Sequence, residues 1–240
     1  GSWLSYSTFM YGFRFDNLQL YDGLFQYSDN FSSYESIFHV LNRNDYHHVL
    51  AAPLGGIDNK DVSWETISRC FQPQTILNWA AYDYQGPKLR FFNQKNTYCM
   101  PDQYALNFAY HKALEQAECA PVSVFYCTMN SHLPYESPRK ASDDWQEINN
   151  ADFELELTDL SLSVTDRYLQ AIEYQLNFIL LFAEQNSDRD IVITLFGDHQ
   201  PPFVATEAMG RETPVHVLSK SLALQQNLIK HGFHNGLLVP

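Results

Sequence analysis

The sequence predicts an α/β fold with a mainly parallel central sheet and helices on both faces. Three observations lead there. Helix-length amphipathic segments alternate with short apolar runs along the 240 residues. Those runs, such as "VSVFY" and "DIVITLFG", are continuous and rich in β-branched and aromatic residues, as in strands covered on both faces. The runs then stop at glycine, proline or polar clusters, the usual punctuation of a strand end. The length allows one large domain or two small ones. With no internal repeat or low-complexity tract, residues 1–240 read as a single domain.

Taken in order, residues 1–34 are rich in Ser, Tyr and Phe and show no clear period. The stretch 34–44 places Ile37, Phe38, Val40 and Leu41 at helical spacing and ends near Asn44-Asp45. Residues 47–56 read as a short buried strand stopped by Pro53 and Gly55-Gly56. "VSWETISRCF" (62–71) predicts a helix, followed by an aromatic, loop-like stretch. A helix over 102–118 opens at Asp102, with Ala105, Leu106, Phe108, Ala109 and Leu114 apolar. Residues 120–130 form the clearest strand, and 136–160 an acidic loop. The best helix is 163–185, with Tyr168, Ala171, Ile172, Leu176, Ile179, Leu180 and Ala183 on one stripe. Strands at 190–197 and 213–219 and a closing helix at 221–233 complete the pattern.

Composition removes several classes of function. A formal net charge of −13 argues against a nucleic-acid partner, which requires a basic surface. It leaves a small anionic substrate open, because a bound cation reverses the local sign. Cys70, Cys99, Cys119 and Cys127 form no CxxC pair, so a zinc knuckle or thioredoxin-type site is not indicated. The longest near-candidate for a membrane span, "FILLFA" (178–183), is far too short. No signal peptide is visible, and the opening Gly1-Ser2 has the form of a cloning remnant. The chain is therefore expected to be a soluble piece of a longer protein.

In open α/β sheets ligands collect beyond the carboxyl ends of the strands. Two predicted strand ends carry polar clusters: Thr128-Met129-Asn130-Ser131-His132, and Gly197-Asp198-His199 within "LFGDHQPP". Carboxylate and neutral imidazole both suit Zn²⁺ or Mn²⁺, and a turn after Gly197 lets Asp198 and His199 face one ion. The dipeptide alone also fits a loop in which Asp198 caps the next helix and His199 is solvated. His132 reads either as a contact to an anionic oxygen or as a turn histidine. Ser5, Ser7 and Thr8 offer hydroxyl nucleophiles, which need a base or metal beside them at neutral pH. His39, His47, His48, His231 and His234 show no ligand spacing. His47 and His48 read as surface or strand-edge residues, and His216 as a core histidine.

"VFYCTMNSHLPY", "DRYLQAIEYQLNFILLFAEQ", "DIVITLFGDHQPP", "ETPVHVLS" and "HGFHNGLLVP", in that order, resemble the C-terminal half of the alkaline phosphatase/sulfatase superfamily. The branch most similar holds the lipoteichoic acid synthases and the phosphoglycerol and phosphoethanolamine transferases. The likeness covers about 120–240, with a weaker echo at 1–56. It implies an alkaline phosphatase-like sheet and a divalent metal (Mn²⁺, Zn²⁺ or Mg²⁺) held by Asp198 and His199. It also implies that His132, with Asn130, meets the substrate, and that a Ser or Thr attacks phosphorus. A phosphate or sulfate ester, lipid-linked or on a glycan headgroup, is the implied substrate. The implied location is the periplasmic or extracellular membrane face, through an anchor absent from this chain.

Two departures from the pattern stand out. The family's first metal ligand is an acid ending the first strand, whereas no acid precedes Asp16 here. The nucleophile of relatives lies several residues before the segment that "STFMYG" resembles. Both are therefore expected upstream of residue 1, along with the first strand. The alternative is a catalytically incomplete member that serves as a binding domain. No cysteine lies in a Cys-x-Pro/Ser-x-Arg setting, which argues against a formylglycine sulfatase.

Overall fold

A computed structural model of the chain describes residues 2–12, 34–51, 53–55, 71–91, 97–206, 210 and 212–236. In chain order the elements are α1 (Ser2–Tyr11), α2 (Ile37–Arg43), β1 (His47–Ala51), β2 (Leu54–Gly55), β3 (Thr75–Leu77), β4 (Leu89–Arg90), β5 (Tyr98–Cys99), α3 (Asp102–Ala117), β6 (Val122–Tyr126), α4 (Val164–Gln185), β7 (Val192–Phe196), β8 (Val215–Ser219) and α5 (Leu222–Lys230). Short 3₁₀ turns cover Trp79–Tyr82 and Trp145–Asn149. The helix expected over 62–71 lies outside the described residues except for Phe71.

β1 is the middle strand of a parallel sheet in the order β3-β1-β6. Its pairing with β6 runs from His47 opposite Val122 to Ala51 opposite Tyr126. Alternation along β1 sorts its two faces. Val49 and Ala51 pack into a core with Ala105, Ala109 and Ala113 of α3. Those alanines recur every four residues, so the helix backbone lies close to the sheet. Leu50 points the other way, into a second core with Met10 and Tyr11 of α1, Phe38 of α2, and Phe71. Helices thus cover both faces, as the pattern predicts. A small antiparallel sheet, β2-β5-β4, and the antiparallel pair β7-β8 complete the framework.

Serines start three helices. Ser36, Ser163 and Ser221 each accept a hydrogen bond from a first-turn N–H, of His39, Asp166 and Leu224 respectively. Four expectations require correction. Residues 2–11 are helical despite their weak period, because Phe9 stacks on Phe196 of β7 while Met10 and Tyr11 pack with Phe38, Leu50 and Phe71. β7 is not covered on both faces: it pairs antiparallel with β8, and Val192 and Thr194 are exposed. The buried stripe of α4 is Ala171, Tyr174, Gln175, Phe178, Ile179 and Phe182, rotated from the predicted one. Leu176 and Leu180 are 47% and 56% exposed. Aromatic side chains bury more area than leucine, so they win the face turned toward the core.

The fourth correction is His48. It is fully buried in the central strand, and its ring stacks on Phe38 at 3.9 Å. Burial lowers its imidazole to about 4.

Two stability measurements follow. Phe178→Ala should cost about 3–5 kcal/mol in denaturant unfolding, whereas Leu180→Gln should stay within about 0.5 kcal/mol. His48 is neutral when folded, while the unfolded chain binds its proton near the ordinary value. Its stability contribution is therefore complete above about pH 6.5 and lost as pH falls toward 4, by about 3 kcal/mol in all. His48→Phe keeps the stacked ring and should remove that part of the acid slope relative to wild type.

Candidate active site

The parallel sheet delivers the end of β6 to one edge, and α1 ties the end of β7 to it. Tyr6 packs edge-on against Phe125 of β6 at 5.7 Å and Phe196 of β7 at 6.5 Å. Phe9 stacks on Phe196 at 4.4 Å. The Tyr6 hydroxyl lies 2.7 Å from the Cys127 sulfur, just past β6. Ser5 donates its hydroxyl hydrogen to the Asp198 carbonyl, just past β7. One short aromatic helix therefore joins two polar strand ends.

Gly197 shapes the second of these ends. Thr213 Oγ1 donates to its carbonyl at 2.7 Å, and a Cβ at this position would lie 3.0 Å from Thr213 Cβ. The missing side chain lets the start of the β8 segment press against the turn. The chain then leaves the ladder, and Asp198 and His199 share one side. Asp198 Oδ1 accepts from the His199 N–H at 2.9 Å, and Asp198 Oδ2 lies 3.6 Å from His199 Nε2. His199 Nδ1 lies 2.8 Å from the Gln200 carbonyl. A carbonyl only accepts, so Nδ1 carries the hydrogen and Nε2 of the neutral ring presents a lone pair. Both side chains are 34% exposed.

His132 sits on the loop after β6. Its N–H donates to the Met129 carbonyl at 3.1 Å, its ring packs on Phe91 at 4.6 Å, and Nδ1 lies 3.1 Å from the Leu133 carbonyl. Asn130 is buried and committed inward: its Oδ1 accepts from the Asp102 N–H at 2.7 Å, and its Nδ2 donates to the Met100 carbonyl at 3.3 Å. The first turn of α4 closes the loop. Arg167 donates to the Pro134 carbonyl at 2.9 Å, and Tyr168 packs against Tyr135 at 5.4 Å. The Tyr135 hydroxyl donates to the Pro202 carbonyl at 3.3 Å, bridging the β6 and β7 loops.

The proximity of the two strand ends has an electrostatic consequence. Burial pushes the Cys127 thiol up to about 12, and the Asp198 carboxylate adds to that shift from the neighbouring loop. The Tyr168 hydroxyl is raised by burial and then by Asp198. The negative charge at Asp198 is thus felt from β6 and from α4.

Of the three candidate hydroxyls, the fold brings Ser5 alone to the Asp198-His199 turn. Thr8 is exposed on α1. Ser7 is fully buried, and its hydroxyl has no partner among the described residues. The aspartate-histidine pair suits a metal. Two ligands about 2.1 Å from a tetrahedral ion stand about 3.4 Å apart, close to the separation seen here. The His199 Nδ1–H held by a carbonyl is the support that ligating imidazoles commonly have. Among the described residues no third carboxylate, imidazole or thiolate joins the pair, so they account for two positions of such a site. Tyr6, Arg167 and Tyr168 were not legible as site residues, since aromatic and basic residues on helices carry no local motif.

Neither a family model nor a curated protein matches the sequence. The fold, however, is similar to that of two solved structures. A crystal structure of a protein in the alkaline phosphatase superfamily from Vibrio parahaemolyticus superposes with a TM-score of 0.58 at 17% identity, covering 92% of this chain and 49% of that one. The lipoteichoic acid synthase LtaP from Listeria monocytogenes superposes with a TM-score of 0.52 at 15% identity, covering 82% and 44%. The chain spans about half the length of each.

The shielded thiols give a direct check. At pH 8, iodoacetamide followed by peptide mass spectrometry should modify exposed Cys119 well before buried Cys99 and half-buried Cys127, whose thiol is pushed up to about 12. Comparable rates at Cys119 and Cys127 would mean that α1 does not cover the end of β6.

Proposed function

We propose that the chain is a domain of a metal-dependent phospho- or sulfo-ester hydrolase or transferase acting on a lipid or glycan headgroup. The observation that carries this reading is the Asp198-His199 turn, with Oδ2 and Nε2 3.6 Å apart at a strand end. The superfamily member and the synthase LtaP among the structures of similar fold support it. Asp198 and His199 would hold a divalent ion (Mn²⁺, Zn²⁺ or Mg²⁺). When bound, it would lower the pKa of a hydroxyl and offset charge on the phosphoryl oxygens.

The chain's own residues do the rest. Ser5 is the hydroxyl placed for attack, its hydrogen held on the Asp198 carbonyl. Its bond to phosphorus would form as the bond to the leaving oxygen breaks, the hydroxyl proton passing to water and the leaving oxygen taking one up from solvent. Water or an acceptor alcohol would then take the phosphoryl group. His132, on the adjacent loop and on a turn ordered by Asn130, would meet the anionic oxygens as an imidazolium donating from Nε2–H. None of the described helices is long and apolar enough to cross a membrane. In this reading residues 1–240 are one domain of a longer membrane-anchored protein, working on the periplasmic or extracellular face.

A second reading rests on the donor count. With two metal donors among the described residues, the chain serves instead as a catalytically incomplete binding domain. Calorimetric titration with Mn²⁺ and Zn²⁺ tests the first reading: Asp198→Ala and His199→Ala should each lower affinity at least about 100-fold. Unchanged stoichiometry in both would reject it. Chelator-sensitive phosphodiesterase turnover by this chain would reject the second.

A further inference from the structure

Asp102, at the first position of α3, is completely buried, yet every group facing its carboxylate is a neutral donor. Oδ1 accepts from the Tyr126 hydroxyl at 2.5 Å and the Met129 N–H at 2.8 Å. Oδ2 accepts from the Met129 N–H at 3.0 Å, the Asn130 N–H at 2.7 Å and the Gln175 side-chain amide. Tyr126 and Gln175 belong to β6 and α4, so one carboxylate joins three elements. The clasp is reciprocal, because the Asp102 N–H returns a bond to Asn130 Oδ1 at 2.7 Å.

These donated hydrogen bonds favour the ionised carboxyl. The donors oppose the rise in pKa that burial imposes on the group. Consecutive N–H groups at a strand end form a concave anion seat of the kind that often receives a phosphate. Here the protein fills the seat with its own carboxylate. The His132 N–H is bound to the carbonyl of Met129, whose N–H the carboxylate holds.

We propose that Asp102 is the positioning residue for His132: its carboxylate occupies the anion seat of Met129 and Asn130 and sets where the imidazole stands, leaving His132, and not the seat, to meet a substrate anion. This rests on the reading that His132 meets the substrate's anionic oxygens. The role is indirect, since Asp102 has no path to the substrate.

Asp102→Asn is the near-isosteric test, because it turns one acceptor oxygen into a donor facing donors. Tyr126→Phe removes a single donor, keeps the ring, and decides the matter if Asp102→Asn does not fold. The readouts are thermal melting, histidine ring NMR shifts, with His132 assigned by its loss in His132→Ala, and affinity for inorganic phosphate in the presence of Mn²⁺. We expect the His132 ring signals to move in both variants while those of His216, on β8, stay in place. Phosphate affinity should fall at least tenfold in Asp102→Asn and less in Tyr126→Phe. Unmoved His132 signals with unchanged phosphate affinity in the folded variants would overturn the proposal. Phosphate that fails to bind the wild-type chain, with His132 signals that still respond to the variants, would overturn the functional reading and leave the positioning role standing.

Discussion

The parallel pairing of β6 with β1 is the constraint on which the site depends. Because the strands run the same way, β6 must release its chain at the carboxyl edge of the sheet, and its next polar residues collect there. The alternation of β1 makes that edge firm. Val49 and Ala51 seat α3 on one face, and Leu50 seats α1 and α2 on the other. The two helices that matter most for the site, α1 and α3, are thus fixed by opposite faces of one strand.

From those faces the helices reach the strand end in different ways. α1 works through aromatic contact, with Tyr6 and Phe9 spanning Phe125 and Phe196 so that the β7 turn stands beside β6. α3 works through a buried carboxyl group, Asp102 gripping the first residues of the β6 loop. Apolar contact brings the two loops together, and directional hydrogen bonds fix the orientation within one of them. The backbone carbonyls beside His132 and His199 then orient both rings. This division suits anion chemistry, which needs donors and lone pairs held in place before the substrate arrives.

Much of this was legible in the residues. "VSVFY" and "VITLF" could hardly be anything but strands, and the polar clusters after them marked the edge where ligands gather. What could not be read were facts of tertiary competition. Two leucines of α4 are left outside because aromatic neighbours claim the core. His48 is buried because β1 became the middle strand, which no local pattern states. Asp102 reads as an ordinary helix start, and only the folded chain shows that its side chain turns inward to β6 and α4. Ser5, Ser7 and Thr8 could not be ranked until α1 showed which one faces the Asp198-His199 turn.

The central claim is that Asp198 and His199 form a metal-binding pair. Anomalous diffraction from crystals of the chain soaked in Mn²⁺ tests it most directly. The account predicts an anomalous peak within about 2.0–2.3 Å of both Asp198 Oδ2 and His199 Nε2. A peak elsewhere in the molecule with none at this pair, or no ordered peak at saturating Mn²⁺, would contradict it.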